Sequence, residues 1–462
     1  MRPAASPFAP LLDQLSFCHV ESEAGHTLAF ADLSAAADRA VRTAFGDAVI
    51  TGQRVLVYAE AALLSRIVGL WQAGAVPVVD SPASRAQNPA DAQWDWREHG
   101  RIRLAKNAPT VREAGEDRLA IIHLSSGSTG APKPAPRSMA SLLAEAHRYI
   151  SRYGLGPGHR TLVAAPICHS FGFGAFLGAA VAGGPVSLPV TFHARRLARR
   201  LRAGEFDVVV LTVPMARLLV AAVGSDSRPG TAGPRLAIAG AGPVPDGLAA
   251  AFERAFGCPL GRNYGCSETG ATFGAATTLD QGTIGRPFDG VEILAPSVPG
   301  ETAELVLDLG HAVLAATSPA GPSRIWHTGD RATRLPDGSI RLHGRLDDRL
   351  KIDGKTVRAA EIVAAALAAP GVRDAAALTA TAPWAADRDL LVVACEGAGI
   401  DVKRFREAVI ATGAPPPLVL IFTILPRTAA GKPDRAAIVA ALAEWRGTTD
   451  ADSAMAAEDA PA

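Results

Sequence analysis

The sequence predicts an α/β protein: a large N-terminal lobe of helix-covered, mostly parallel sheets with a small β-rich subdomain, then a separate small α+β lobe. Three observations lead there. Between residues 30 and 240, helical patterns alternate with short Val-rich strand-like runs; after about residue 280 the strands shorten and are punctuated by Gly and Pro; helix–strand alternation returns over 355–445. At 462 residues the chain exceeds one ordinary compact domain, so two or more lobes are expected.

The first repeating unit is the clearest. RVLVYAE (54–60) and AVPVVD (75–80) are apolar, rich in Val and bounded by turn residues. Between them ALLSRIVGLWQAG carries apolar residues at helical spacing and ends on Gly74, a residue suited to a helix C-cap. This is a βαβ unit, and TLVAAP (161–166) and DVVVLTVP (207–214) continue it into a parallel sheet covered on both faces. Residues 171–190, FGFGAFLGAAVAGGPVSLPV, carry no charge and could pass for a membrane span by length. Their Gly, Ala and Pro content reads instead as a closely packed helix and strand of a soluble protein. Pro336-Asp337-Gly338 marks a turn in the β-rich part, and the Ala/Asp-rich tail from about Gly447 is expected to be disordered.

Composition excludes some classes. Apolar residues make up 48% and charged residues 20%, with a net charge of +1, so neither a nucleic-acid footprint nor a polybasic membrane patch is present. The arginines at 195, 196, 199, 200 and 202 have helical spacing and read as a solvated helix face, with an acidic partner as the alternative. Five scattered cysteines without a C-x-x-C pair fit a reducing cytoplasm and argue against a disulfide framework or structural zinc. The N-terminal MRPAASPFAPLLDQ has no basic segment followed by a long apolar one, so no signal peptide is expected.

The chemistry begins at LAIIHLSSGSTGAPK (119–133), where a strand runs into small hydroxylated residues and glycines closed by a lysine. Glycine lets backbone N–H groups approach polyphosphate oxygens, hydroxyls donate hydrogen bonds, and Lys133 supplies a point charge. It is not a P-loop, because Lys133 stands between Pro132 and Pro134 rather than within Gly-Lys-Ser/Thr. A flexible Ser/Gly turn is the alternative on these residues alone.

SSGSTGAPK resembles the phosphate-binding signature of the adenylate-forming superfamily, which holds acyl- and aryl-CoA synthetases, peptide-synthetase adenylation domains and luciferases. The superfamily's further motifs follow in order: AGAGPV (239–244), NYGCSETG (263–270), WHTGD (326–330), GRLDDRLKIDGK (344–355) and LPRTAAGK (425–432). All of them in sequence over 125–432 make the resemblance specific. It implies an adenylation domain over 1–345 and a mobile C-terminal domain over 346–446, with 447–462 as the tail.

What the resemblance implies for function is ATP-dependent attack of a carboxylate on the α-phosphate, release of pyrophosphate, and transfer of the acyl group to a thiol. It implies Ser125, Ser126, Gly127, Ser128, Thr129, Gly130 and Lys133 for the phosphates. Gly240, Ala241 and Gly242 would lie along adenine, Tyr264 would stack on it, Asp330 would take the ribose hydroxyls, and Arg345 would contact ribose or phosphate. Glu268 would hold the Mg²⁺ that accompanies ATP, with Ser267 on a phosphate oxygen. Lys432 would be the catalytic lysine bridging carboxylate and phosphate. Asp347 matches the hinge about which the small lobe rotates, bringing Gly354 and Lys355 to the thiol face. PICHSFGFG (166–174) corresponds to the acyl-pocket segment, so His169, Phe171, Phe173 and Gly270 are its expected lining. Amino acid-activating relatives carry an Asp there; His169-Ser170-Phe171 offers no counter-ion to an ammonium group and points to aryl or acyl acids.

The chain departs from the pattern in three places. The stretch before the phosphate loop is several tens of residues shorter than usual, Pro134 stands where Gly is common, and Thr356 where many CoA ligases have Arg or Gln. The short N-terminal lobe resembles ligases that load aryl or acyl units onto carrier proteins, including those of aryl polyene pathways. The acceptor is therefore CoA or carrier-protein phosphopantetheine, and Lys355 and Arg358 suit the phosphates of either. An enzyme with a non-thiol second step and an inactive scaffold relative remain as alternatives.

Overall fold

In the computed structural model the chain divides into two compact units, Met1–Thr328 with Thr333–Arg341, and Gly329–Ala332 with Leu342–Ala462. The structure describes residues 54–444 apart from 59–62, 81–95, 100–101, 106–117, 126–132, 190, 225–232, 281, 315–321, 353–354, 381–388 and 429–432. Before these it describes 6, 8–15, 19–21, 27–29, 32, 34–35 and 37–38, and after them Met455–Ala457.

The first unit holds the expected βαβ element. Strands Arg54–Tyr58 and Val76–Asp80 pair in parallel, joined through helix Leu63–Gln72, and Gly74 takes a left-handed φ of 74°. A residue with a Cβ would be strained at that turn. Val76–Asp80 pairs in parallel with Leu119–Ser125, which turns back antiparallel into Lys133–Ser138 and completes a six-stranded sheet. Leu63, Leu64, Ile67, Val68 and Trp71 bury one helix face, and the Trp71 indole N–H donates to the Ala120 carbonyl at 2.7 Å.

The second sheet has thirteen strands. At its centre His19–Glu21, Pro185–Ser187, Thr161–Val163, Val208–Thr212, Leu236–Gly240 and Leu260–Cys266 run parallel in that spatial order. Val208–Thr212 and Leu236–Gly240 are buried at every position, as strands covered on both faces must be. The β-rich part is not a detached sheet: Gly270–Ala275, Thr283–Pro287 and Ile340–Arg345 continue the same sheet as antiparallel neighbours. The uncharged stretch holds helix Ser170–Val181 and strand Pro185–Ser187. Among the described residues no helix is long and apolar enough to cross a membrane.

In the second unit, Val372–Ala380, Leu390–Gly397 and Leu418–Phe422 form a sheet buried on both faces. Leu391, Val393 and Cys395 face Ile362 and Phe405, whereas Val392 and Ala394 face Ile438 and Leu442. This period-two alternation places helices Ala359–Leu367 and Val402–Ile410 on one side and Arg435–Glu444 on the other. Two expectations are corrected here. Met455–Ala457, within the tail expected to be disordered, pair in parallel with Leu418–Phe422, whose open edge offers backbone groups to any extended segment. Asp330 and Arg345, expected in the first domain, fall in the second unit, because the Leu346 N–H donates to the Gly329 carbonyl at 2.6 Å and ties the two segments together.

Arginine–carbonyl bonds hold much of the first unit. Arg262, buried, donates to the carbonyls of Val244, Leu279, Asp280 and Thr283 at 2.5–3.0 Å. Replacing it with Met leaves four acceptors without that donor, so we expect Arg262→Met to lower stability by about 3 kcal/mol or more. Urea unfolding followed by circular dichroism checks this; a loss below about 1 kcal/mol would mean that water replaces the guanidinium.

Candidate active site

The parallel strands of the thirteen-stranded sheet point their C-terminal ends to one edge, and in open α/β sheets ligands bind outside that edge. Thr161–Val163 leads to Pro166–His169, Val208–Thr212 leads into Val213, Leu236–Gly240 leads to Ala241–Gly242, and Leu260–Cys266 leads to the turn Ser267–Thr269. The sheet thereby brings His169, Gly240–Gly242, Ser267 and Glu268 to one edge from positions spread over residues 169–268.

Each segment is locally constrained. Ala241 has φ 62°, the one positive φ outside glycine among the described residues. A side-chain-bearing residue there stores strain that the surrounding packing must hold, a feature that clusters at ligand sites. A Cβ on Gly240 would lie 2.6 Å from Cζ of Phe171, so the absence of a side chain admits the Phe171 ring against the backbone. At the neighbouring hairpin, a Cβ on Gly265 would lie 2.1 Å from the Gly270 carbonyl oxygen, and a bulge falls between Tyr264 and Gly265. That close approach folds Ser267 and Glu268 to the hairpin tip, both half-buried. Tyr264 stands edge-on to Phe273 with ring centroids 5.9 Å apart. Burial and the Glu268 carboxylate push the Cys266 thiol up to about 12, so it stays protonated at neutral pH and is no nucleophile.

Behind the expected acyl pocket lies a polar layer that sequence reasoning missed. Glu145, 2% exposed, accepts from the Ala271 N–H at 2.8 Å and from Arg137 at 3.1 Å. Arg137, 1% exposed, also donates to the Ser141 hydroxyl at 2.7 Å. The pair is accommodated because Gly174 and Gly270 have no side chains: a Cβ on either would lie 2.2 or 2.4 Å from a Glu145 oxygen. Gly270, expected in the pocket wall, is seen here to make room for the Glu145 carboxylate. The available signal was the spacing of Arg137, Ser141, Glu145, Arg148 and Arg152, a polar stripe that begins two residues before helix Met139–Tyr153 and runs along it.

His123 is the second omission. It sits two residues before Ser125 in the strand that leads to the expected phosphate loop, fully buried, its ring 5.4 Å from Phe173. Neither ring nitrogen has a hydrogen-bond partner. Burial foremost, then Arg137 and His169, lower its pKa to about 3. A histidine interrupting the apolar run LAIIHL was the sequence signal. Phe173 is itself buried among Trp71, His123 and Phe176, so it is core that backs the pocket segment.

Ser126, Gly127, Ser128, Thr129 and Gly130 lie outside the described residues, as do Gly354 and Lys432. The loop's two ends are fixed: Ser125 and Lys133 pair as the last rung of their hairpin. In the second unit Arg345 lies between Asp330 at 3.7 Å and Asp347 at 2.7 Å, bringing the expected ribose and hinge residues together. Lys355 is exposed on strand Lys355–Arg358. The segment that carries Lys432 springs from a closed neck: Arg427 bridges Pro433, the Asp434 N–H donates to the Pro426 carbonyl at 2.8 Å, and Arg427 ion-pairs with Asp374.

Residues 24–307, more than half of the chain, match the AMP-binding enzyme family. The chain belongs to that family. Among its relatives, triostin synthetase I of Streptomyces triostinicus is 26% identical over 89% of this chain and 89% of its own length. Novobiocin biosynthesis protein H of Streptomyces niveus is 32% identical over 57% of this chain and 47% of its own length. The 2-succinylbenzoate–CoA ligase of Geobacillus kaustophilus is 26% identical over 56% of this chain and 55% of its own. The chain thus spans about half the length of the latter two relatives. In fold, it is similar to ATP-bound MatB from Rhodopseudomonas palustris (TM-score 0.71, 20% identity, 95% of this chain and 99% of that one). A benzoate CoA ligase from Burkholderia xenovorans is comparable (TM-score 0.71, 19% identity, 94% and 99%). At these identities the structural likeness concerns the fold, which is that of the adenylate-forming enzymes.

The buried histidine makes a pH prediction. In the unfolded chain His123 takes a proton near 6.5, whereas in the folded chain it does so only near 3. Between those values the unfolded state binds more protons, so stability falls as pH drops. We expect a loss of about 2 kcal/mol between pH 7 and pH 5 from this residue, absent in His123→Leu, with urea unfolding at both pH values as the check. Equal pH dependence in the two proteins would show that the ring is hydrated or paired.

Proposed function

We propose that this member of the AMP-binding enzyme family activates an aryl or acyl carboxylic acid as its adenylate and passes the acyl group to a thiol, on CoA or on carrier-protein phosphopantetheine. The observation that carries this reading is the convergence of His169, strained Ala241 and Glu268 on one edge of the parallel strands. The name of the 2-succinylbenzoate–CoA ligase relative supports an aromatic acid and a thiol acceptor.

In the first step a carboxylate oxygen attacks the α-phosphorus of ATP; the bond to the β-phosphate oxygen breaks and pyrophosphate leaves. In the second, the sulfur attacks the acyl carbon, the carbon–oxygen bond to AMP breaks, and the thiol proton passes to solvent. The protein's share is positioning and charge compensation. Glu268 at the hairpin tip offers a single carboxylate, which fits Mg²⁺, a hard cation that rides on triphosphate and takes few protein ligands. Such an ion would neutralise phosphate charge; Ser267 would orient an oxygen beside it. Asp330 would accept from the ribose hydroxyls, with Arg345 beside it, Tyr264 would stack on adenine, and Lys432 would bridge carboxylate and phosphate. Lys355 and Gly354 would meet the thiol after rotation about Asp347. Among the described residues Cys168, Cys258, Cys266 and Cys395 form no disulfide, in keeping with a cytoplasmic location.

Carboxylate-dependent ATP–pyrophosphate exchange over acetate, octanoate, benzoate, hydroxybenzoates, coumarate and amino acids tests the proposal and names the substrate. Exchange with an aryl or acyl acid is expected; exchange with none, in protein that binds ATP, would overturn it. Lys432→Ala is expected to reduce exchange by roughly 100- to 1,000-fold or more, the scale of removing one electrostatic stabiliser. Asp347→Pro should slow thioester formation more than exchange, read as product formation against exchange in the same preparation. Equal losses in both would remove Asp347 from the hinge role.

A further inference from the structure

The helix Ala194–Arg202, ARRLARRLR, has no part in the chemistry proposed above. Leu197, Ala198 and Leu201 bury its apolar side in the core beneath it. The other side carries five arginines and no acid. Arg200 is accounted for within the fold, paired with Glu205 at 2.6 Å and lying over the Phe206 ring at 4.7 Å. Arg195, Arg196 and Arg199 are exposed, and among the described residues none of them makes an ion pair.

Local energetics do not favour this arrangement. Arg195 and Arg196 occupy the first helical turn, where the partial positive charge of the helix end disfavours cations. Arg195 and Arg199 are also like charges four residues apart. A helix selected only for stability would place acids in that turn. The positive ends of helix and side chains instead add up on one spot, beside a groove lined by Leu188, Pro189, Thr191, Phe192, His193 and Arg196.

The position of the groove follows from the sheet. Strand Pro185–Ser187, which feeds it, pairs in parallel with Thr161–Val163, with Ser187 level with Leu162. It therefore opens on the same edge as His169 and Gly240–Gly242. The strand ending at Gly240 lies three strand spacings away, roughly 15 Å, which an extended pantetheine arm can bridge.

We propose that this groove and the exposed arginines Arg195, Arg196 and Arg199 form the docking surface for an acidic carrier-protein domain that delivers the phosphopantetheine thiol. The inference rests on the thioester-forming reading above and names its partner. Charge complementarity supplies the encounter, the half-buried Leu188 and Phe192 supply apolar contact, and the like-charge cost is relieved when acidic side chains arrive.

The test uses the full chain, a bacterial fatty-acid-synthase acyl carrier protein as the acidic probe, and the charge-reversal variant Arg195→Glu/Arg196→Glu beside Arg195→Gln/Arg196→Gln. Binding of fluorescently labelled apo-carrier is expected to weaken at least tenfold in the Glu variant, less in the Gln variant, and in wild type between 50 and 300 mM NaCl. With an acid that supports exchange, KM for the holo-carrier should rise by a similar factor, while exchange and transfer to free pantetheine keep their wild-type rates. Thermal unfolding should move up in both variants, since the dipole and like-charge conflicts are removed. Unchanged carrier binding, or a loss confined to CoA as acceptor, would overturn the proposal. Failure of every acid in the exchange assay would strike the thioester reading, and the binding measurement would still decide the surface.

Discussion

The buried Arg137–Glu145 pair is the constraint around which the first unit is arranged. Two charges at 1% and 2% exposure are tolerable only when both are fully hydrogen-bonded, since removal of either leaves the other uncompensated in a low-dielectric interior. The bonds that satisfy them reach three separate elements: Arg137 near the end of strand Lys133–Ser138, Ser141 and Glu145 on helix Met139–Tyr153, and the Ala271 backbone. The same pair dictates that Gly174 and Gly270 have no side chains. Strand Lys133–Ser138, helix Met139–Tyr153 and strand Gly270–Ala275 are thereby joined through one ion pair on a helix that buries Arg148 and Glu145 together.

Around that anchor, Arg148 and Arg152 repeat the device with neutral partners. Arg148 donates to the carbonyls of Asp289, Ala271 and Leu309, and Arg152 to those of Gly274 and Pro287. Planar guanidinium groups suit this work because several donors leave one side chain in fixed directions. A helix fastened in this way leaves strand-end loops as the adjustable parts of the site. The strained Ala241 follows the strand Leu236–Gly240 that leads to the proposed ligand edge, and His123, whose ring nitrogens have no hydrogen-bond partner, lies in the strand that ends at Ser125.

Much of this was legible beforehand. Val-rich runs and Gly74 gave the βαβ unit, because burial on both faces and a left-handed helix end leave direct traces in residue type. The ordered motifs gave the family, and the hairpin at 263–270 follows from its own glycines. The Arg137–Glu145 layer was not legible, because a polar residue on a helix reads as solvent-facing until the partner that buries it is known. For the same reason Phe173 read as pocket lining, although the packing of Trp71 and His123 makes it core. The short strand at Met455–Ala457 could not be foreseen from an Ala/Asp-rich tail, since its pairing depends on an open strand edge elsewhere.

The sequence by itself determined the α/β class, the family and the residue types available for chemistry, because periodicity and glycine placement are local properties. Only the tertiary structure decided which of those residues share an edge, which charges are buried, and that Asp330 belongs with Arg345 rather than with the strands before it. Those outcomes depend on strand order and on close approach between segments distant in the chain, and neither is encoded in any one stretch of residues.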